Sequence, residues 1–427
     1  MDEKKWLHRQ AEKVRKVDYI DPALYHKYGV KRGLRNDNGS GVLVGLTTIG
    51  NVHGYVMDEG ERQAIPGELY YRGINVKDIV RADKREHRVG YEETAYLRLF
   101  GELPTARELV DWKNRIGAYR KLSDGFKGNA IMKHPPKDLM NALARAILFA
   151  YAFDDGGDPD DISLERCLGQ SIGLIGAIPT IAAYAYQAKN HYHNGGLLMI
   201  RNPEPAKSTA ENILMLTRVD GKYTKLEAEI LDLALILHAE HGGGNNSAFT
   251  THVVTSSHSD IYSSVAASIL SLKGARHGGA NLRVMRQMEE IMTHVKDWSK
   301  SDEVVHYLER IADKKAGDGS GLIYGLGHAV YTISDPRAQM LKSKARVLAK
   351  EKGREDEMRL FEMIEEFGPA VIKSRHPHAE DVCANVDLYS GFVYDMLGIP
   401  KDLYTPLFAV ARCVSWCAHR MEELVNA

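Results

Sequence analysis

Apolar residues recur at spacings of three and four along most of this chain, the repeat expected of helices that bury one face. Leu139, Leu143, Ala146, Ile147 and Ala150 form one such stripe. Leu226, Ile230, Leu233, Ile236 and Leu237 form a second, and Met285, Met288, Met292 and Val295 a third. The stretches NALARAILFAYAF and IGLIGAIPTIAAYAY are apolar nearly all round, which predicts helices enclosed by other helices or by a partner subunit. Pro179 is expected to kink or end the second of them. Strand-like alternation is confined to residues 42–73, where it predicts one or two small β hairpins with Gly50-Asn51 at a turn. The predicted class is therefore all-α with a minor β element near the N-terminus. Two non-periodic breaks, Asp313–Gly321 and Lys373–Asp387, are candidate functional loops.

Composition narrows the function. A chain of 427 residues exceeds the roughly 250–300 that one core supports, so more than one lobe is expected. With 44% hydrophobic and 26% charged residues it reads as a soluble globular protein. Lys+Arg (56) and Asp+Glu (57) nearly cancel and no one-sign block stands out, which argues against nucleic acid or an anionic membrane as partner. Cys167, Cys383, Cys413 and Cys417 form neither a disulfide framework nor a CxxC pair, so reduced thiols and a cytoplasmic location are expected. The N-terminal stretch has no apolar signal region, and no run of about 18 apolar residues predicts a membrane span.

Several polar residues stand where chemistry is possible. In LILHAEHGGGNN an apolar helix is stopped by glycines, placing His241 at a helix C-terminus, where the dipole favours a protonated ring able to hold an anion. A capping or surface histidine is the ordinary alternative. His238 and His241 also lie one turn apart, a possible metal pair that lacks the HExxH spacing. In GARHGGAN, His277 precedes a helix start, whose positive end resists a second proton, and Gly278 and Gly279 allow a substrate close approach. In YGLGHAVYTISDPR, His328 follows Gly325 and Gly327 on an open loop, and Asp335, Pro336 and Arg337 read as N-cap, N1 and N2. A cation at N2 opposes the dipole and invites an anionic partner. Asp387 lies just ahead of an apolar helix, where an N-cap is the common role. Arg412, one turn from both Phe408 and Trp416, needs a carboxylate or phosphate to offset its desolvation.

Taken in order, HAEHGGGN, GARHGGAN, GLGHAVYTISDPR, ANVDLYSG and FAVARCVSWCAHR resemble the citrate synthase family, and YYRGINVKDI with FGELPTARELV extends the likeness over nearly the whole chain. The resemblance implies a homodimer with a large domain (1–279), a small domain (280–392) and a C-terminal helix (393–427) returning to the large one. It implies condensation of acetyl-CoA with oxaloacetate, with no metal and no tightly bound cofactor, coenzyme A entering as a thioester substrate. By motif, Asp387 matches the general base, His277 the donor to the thioester oxygen, and His328 the group that polarises the ketone. His241, Arg337 and Arg412 match the carboxylate-holding positions. Gly325, Leu326, Gly327 and Asn385 match the CoA-binding backbone and pantetheine path.

Two departures from the family pattern are visible. A basic residue often found four positions after the loop histidine is Thr332 here, so phosphate contacts are expected from Lys373 or Arg375. Family members commonly continue into a tail whose arginine reaches across the dimer. With the sequence ending at Ala427, either the chain is cut short or the protein lacks that clamp, whose loss would cost on the order of 1.5–3 kcal/mol. Two alternatives stay open at this level: a 2-methylcitrate synthase using propionyl-CoA, and a weakly catalytic binding or assembly relative.

Overall fold

The structure, a computed structural model, describes residues 21–29, 46–59, 61–86, 89–274, 277–378 and 380–426. Residues 1–45 form one unit, of which the described part holds the short helix Pro22–Lys27, opened by the Asp21 side chain accepting from the Ala23 N–H at 2.9 Å. Residues 46–427 form the other unit, described below.

That unit is helical apart from one small antiparallel sheet of order β1-β2-β3, with β1 at Gly50–Asp58, β2 at Glu61–Tyr71 and β3 at Ile74–Asn75. The strands pair from Gly50 with Tyr71 to Asp58 with Glu61, the register shifting between His53 and Tyr55. Gly50 and Asn51, expected at a turn, instead open β1. The absent side chain at Gly50 lets the strand lie against Glu240, whose Cγ would sit 2.4 Å from a Cβ there. Residues 42–45 of that expectation lie outside the described residues. The hairpin has its own structural use. A Cβ at Gly67 would stand 2.1 Å from the Ser334 carbonyl, which accepts the Gly67 N–H at 3.0 Å, so β2 touches the loop that follows His328.

The three apolar stripes become the helices Leu139–Ala150, Lys225–His238 and Ala280–His294. The second all-round apolar stretch lies within the helix Leu164–Asn194, which continues past Pro179 rather than ending there. Pro179 and its neighbours from Leu174 to Ala185 are almost all buried, and that packing outweighs the cost of roughly 3 kcal/mol for a missing helical hydrogen bond. This helix has the length and composition to cross a membrane, yet most of its apolar window is covered by the rest of the fold. Helix starts are capped as their sequences dictate: Thr105 with Glu108, Ser208 with Glu211 and Thr224 with Glu227 each form reciprocal capping boxes.

At the centre lies the terminal helix Tyr404–Asn426, buried without interruption from Tyr404 to Arg420. It packs against Leu164–Asn194, the helices Asn246–Ser256 and Ile261–Lys273, and the helix Tyr91–Phe100. A second group of helices, Ala280–His294, Ser301–Ala312, Pro336–Lys352, Glu355–Arg375 and Val386–Met396, packs largely within itself. Lys373 and Arg375 belong to the last turn of Glu355–Arg375, so the predicted break begins after them, at His376.

Candidate active site

The glycine-rich loop before His328 is fixed by the segment before Asp387. Gly325 and Gly327 have φ of +89° and +90°, a region that side chains disfavour. That shape lets Leu326 bridge Ala384 as in an antiparallel ladder: the Gly327 N–H donates to the Cys383 carbonyl at 2.8 Å and the Asn385 N–H to the Gly325 carbonyl at 2.9 Å. The Asn385 amide then donates to the Gly327 carbonyl at 2.8 Å, while its oxygen accepts the Asp387 N–H at 3.0 Å and caps Val386–Met396. One carboxamide thus joins the His328 loop to the Asp387 helix. It also corrects the sequence reading of Asp387, which is not the cap but the second helical residue, with its carboxyl free for other work.

Asp335 makes the second junction. As N-cap of Pro336–Lys352 it accepts from the Arg337 N–H at 2.9 Å, from Arg337 Nε at 3.0 Å and Nη2 at 2.7 Å, and from the Val386 N–H at 3.2 Å. Arg337's unfavourable place at a helix start is offset by this buried carboxylate two residues earlier. Its positive charge faces Tyr331, His328, His241 and Asp387.

Both candidate catalytic histidines are held in one tautomer by main-chain donors. The Val330 and Tyr331 N–H groups donate to His328 Nδ1 at 3.0 and 3.1 Å, so its proton resides on Nε2. The ring stacks on Tyr331, with centroids 4.7 Å apart. His277 is the mirror case: Nε2 accepts the Ser247 N–H at 3.3 Å and lies 3.0 Å from Ser247 Oγ, leaving the proton on Nδ1. Burial, aided by Arg337, lowers the His328 pKa to about 4; burial, aided by Arg412, lowers that of His277 to about 3. Each is a neutral donor at physiological pH. Neutrality at His277 was expected from the following helix, but its main cause is desolvation.

His241 departs from expectation. The helix Lys225–His238 ends before it, so no helix C-terminus stabilises a proton there. Burial, with Arg337, His328 and Arg412 nearby, pushes its pKa well below the ordinary value. The ring is therefore a neutral donor or acceptor, not a cation. It lies edge-on to His328 at 4.8 Å, and its buried Nε2 has no hydrogen-bond partner within the protein. His238 and His241 form no metal pair: His238 stacks on Phe408 at 4.1 Å, while His241 faces His328 and Tyr331.

Arg412 is 2% exposed and crosses Phe408, its guanidinium carbon 4.5 Å from the ring centroid. Its Nε donates to the His238 carbonyl at 3.2 Å. Desolvation lowers its pKa to about 10, so it stays charged, with Glu240 offsetting part of the cost. Asp387 feels Arg337 and Arg412 as attractions and Asp335 as a repulsion, yet burial dominates and raises its pKa to about 6. The residue as a whole is only partly buried. A carboxyl that titrates near pH 6, within the fields of the same two arginines that act on the two neutral imidazoles, suits proton abstraction from carbon and stabilisation of the oxygen charge that follows.

The CoA-related residues stand differently. The Gly325 and Gly327 carbonyls and the Asn385 side chain are engaged with one another, so their present contacts are structural. Lys373 pairs with Asp381 at 3.1 Å, and Arg375 with Asp313 and Glu309, so either must exchange partners to hold a phosphate. Sequence reasoning missed Ser247 and Glu240, whose carboxylate accepts the His241 N–H at 2.8 Å. Both stand beside motif histidines, but nothing in a serine or glutamate alone marks such contacts.

Known proteins match this chain closely. The family profile described as "Citrate synthase, C-terminal domain" covers residues 38–427. Citrate synthase of Haloferax volcanii is 32% identical over 397 residues, 92% of each chain. A 2-methylcitrate synthase of Corynebacterium glutamicum is 31% identical over 364 residues, 84% of this chain and 85% of the relative. The ternary complex of Thermoplasma acidophilum citrate synthase with carboxymethyl coenzyme A and oxaloacetate superimposes with a TM-score of 0.73 at 27% identity, over 90% of both chains. With the sequence profile, the relatives and the helical fold in agreement, this chain belongs to the citrate synthase family.

Proposed function

We propose that the chain condenses acetyl-CoA with oxaloacetate to give citrate and CoA. The observation that carries this reading is that one weakly basic carboxylate and two neutral histidines of opposite tautomer share the fields of the same two arginines, Arg337 acting on His328 and Asp387 and Arg412 on His277 and Asp387. Asp387 takes a proton from the acetyl methyl group while His277 Nδ1–H donates to the thioester oxygen of the forming enol. The enol carbon attacks the ketone carbon of oxaloacetate, whose oxygen accepts from His328 Nε2–H. Water then cleaves the citryl thioester, releasing CoA. Arg337 and Arg412, with the neutral ring of His241, hold the oxaloacetate carboxylates. The acid-base step contributes about 10²- to 10⁴-fold, and each oxyanion donor about 3–4 kcal/mol.

On this reading residues 280–392 act as a small domain closing over a large domain of 1–279 plus 393–427. The mutual packing of the helices between Ala280 and Met396 supports such a division. Coenzyme A lies along Gly325, Leu326, Gly327 and Asn385, its phosphates drawing Lys373 or Arg375 from their carboxylate partners. A homodimer is supported by exposed Leu148, Val253 and Leu270 on three helices that pack side by side. A cytoplasmic location is supported by four buried, unpaired cysteines.

Thiol release measured with acetyl-CoA plus oxaloacetate, with citrate quantified in parallel, tests the reading. CoA and citrate are expected in equal amounts, with a higher kcat/KM than for propionyl-CoA. No turnover by the full chain would refute it, and a preference for propionyl-CoA would move it to 2-methylcitrate synthesis.

A further inference from the structure

A polar cluster is built from two helices far apart in sequence and from Glu240, the residue before His241. His252 on Asn246–Ser256 faces His419 on the terminal helix, with His252 Nε2 3.1 Å from His419 Nδ1. Glu422, one turn beyond His419, places Oε2 3.8 Å from the same Nδ1. One ligand atom from each of these three residues lies within 4.8 Å of the other two. Tetrahedral zinc, with Zn–N bonds of about 2.0–2.1 Å, needs ligand atoms roughly 3.3 Å apart. The cluster is already near that spacing.

Two features set it apart from an ordinary ion-pair network. Each histidine has its other nitrogen against a carboxylate: His252 Nδ1 lies 2.8 Å from Glu423 Oε2, and His419 Nε2 lies 3.0 Å from Glu240 Oε2. Such carboxylates fix the ring and the tautomer of metal-binding histidines. Glu422 is also half spent. Its Oε1 accepts from the Thr48 N–H and hydroxyl at 2.7 and 2.9 Å, whereas its buried Oε2 has no hydrogen-bond partner. His252 keeps 19% of its side chain exposed, which gives a hydrated ion a way in.

We propose that His252 Nε2, His419 Nδ1 and Glu422 Oε2 bind one divalent cation of the zinc class, with water as fourth ligand. Binding replaces the hydrogen shared by the two facing ring nitrogens, which leaves as a proton. The ion ties the terminal helix, which carries Arg412, to the helix Asn246–Ser256. Through His419 and Glu240 it also steadies the turn bearing His241. Its role is structural and separate from the bond-making residues.

The test strips the full chain with chelator, adds Zn²⁺ or Co²⁺, removes excess by desalting and counts metal per chain. One zinc per chain is expected, with Co²⁺ giving the strong visible absorption of a four-coordinate site. His252→Ala and Glu422→Gln should each lower retention at least tenfold, and His306→Ala, at an exposed histidine elsewhere, should not change it. Circular dichroism identifies a variant that fails to fold, in which case the other decides. If both fail, displacement of bound Co²⁺ absorption by Zn²⁺, with histidine ring signals of the intact chain shifting on binding, decides instead. Fewer than one zinc per ten chains, or retention that survives these substitutions or leaves the ring signals unmoved, overturns the proposal.

Discussion

Replacing Asp387 with asparagine should remove activity and at the same time stabilise the protein. Burial raises this carboxyl from the ordinary aspartate range to about 6, against the opposing attraction of Arg337 and Arg412. For an acid whose folded pKa is raised, the stability contributed by its proton is fully present below the unfolded value of about 3.9 and is lost as pH rises through about 6. At pH 7.5 the folded chain therefore bears the whole penalty, about 3 kcal/mol at roughly 1.4 kcal/mol per unit. Asp387 is only partly buried, so screening reduces this, and about 1–2 kcal/mol is the better figure. Asparagine also forgoes the attraction between an anion and the first turn of Val386–Met396, up to about 1 kcal/mol. The net gain is about 1 kcal/mol at pH 7.5. With an unfolding entropy of about 2.1 cal/mol/K per residue, that raises Tm by roughly 1–2 °C. At pH 4 the gain should vanish, because aspartate is then largely protonated in the folded chain. Melting curves of Asp387→Asn and the parent at both pH values, beside thiol-release kinetics, measure this. A kcat loss of about 10³-fold or more is expected. An equal fall in Tm at both pH values, or retention of a tenth of kcat, would refute the reasoning.

Other consequences are as direct. The acid limb of kcat/KM should fall below pH about 6 as Asp387 is protonated, with no further inflection up to pH 8 from His277 or His328, which titrate near 3 and 4; a rate that rises on acidification contradicts the assignment. His277→Ala should lower kcat by about 10²- to 10³-fold with little change in KM for oxaloacetate if, as proposed, it donates to the thioester. Asn385→Ala loses a helix cap worth about 0.5–2 kcal/mol and releases the Gly327 carbonyl, so both urea stability and kcat should drop. Gly325→Ala combines a φ of +89°, costing about 1–2 kcal/mol, with a Cβ 2.8 Å from a Leu388 side-chain carbon, and should lower Tm visibly.

How far the sequence could be read depended on whether a property is local. The stripes at 139–150, 226–237 and 285–295 gave helices because a period of 3.6 is written into the order of residues. The cap at Asp335 was legible for the same reason. Pro179 does not end its helix, because its local cost is overridden by neighbours distant in the chain. The charge of His241 was unreadable, since it depends on burial and on Arg337 and Arg412, which arrive from 96 and 171 positions away. The tautomers of His277 and His328 are set by particular main-chain N–H groups, and only a fold can place those. Motif order brought the candidate residues together on the page, whereas their protonation and mutual support required the structure.

The most direct test of the account is a crystal structure of the protein with oxaloacetate and carboxymethyl coenzyme A bound together. The account predicts His328 Nε2 about 2.7–3.1 Å from the ketone oxygen, His277 Nδ1 facing the oxygen that stands for the thioester carbonyl, and the Asp387 carboxyl against the carbon that stands for the acetyl methyl. A ketone met by the opposite nitrogen of His328, or an Asp387 carboxyl turned away from that carbon, would contradict it.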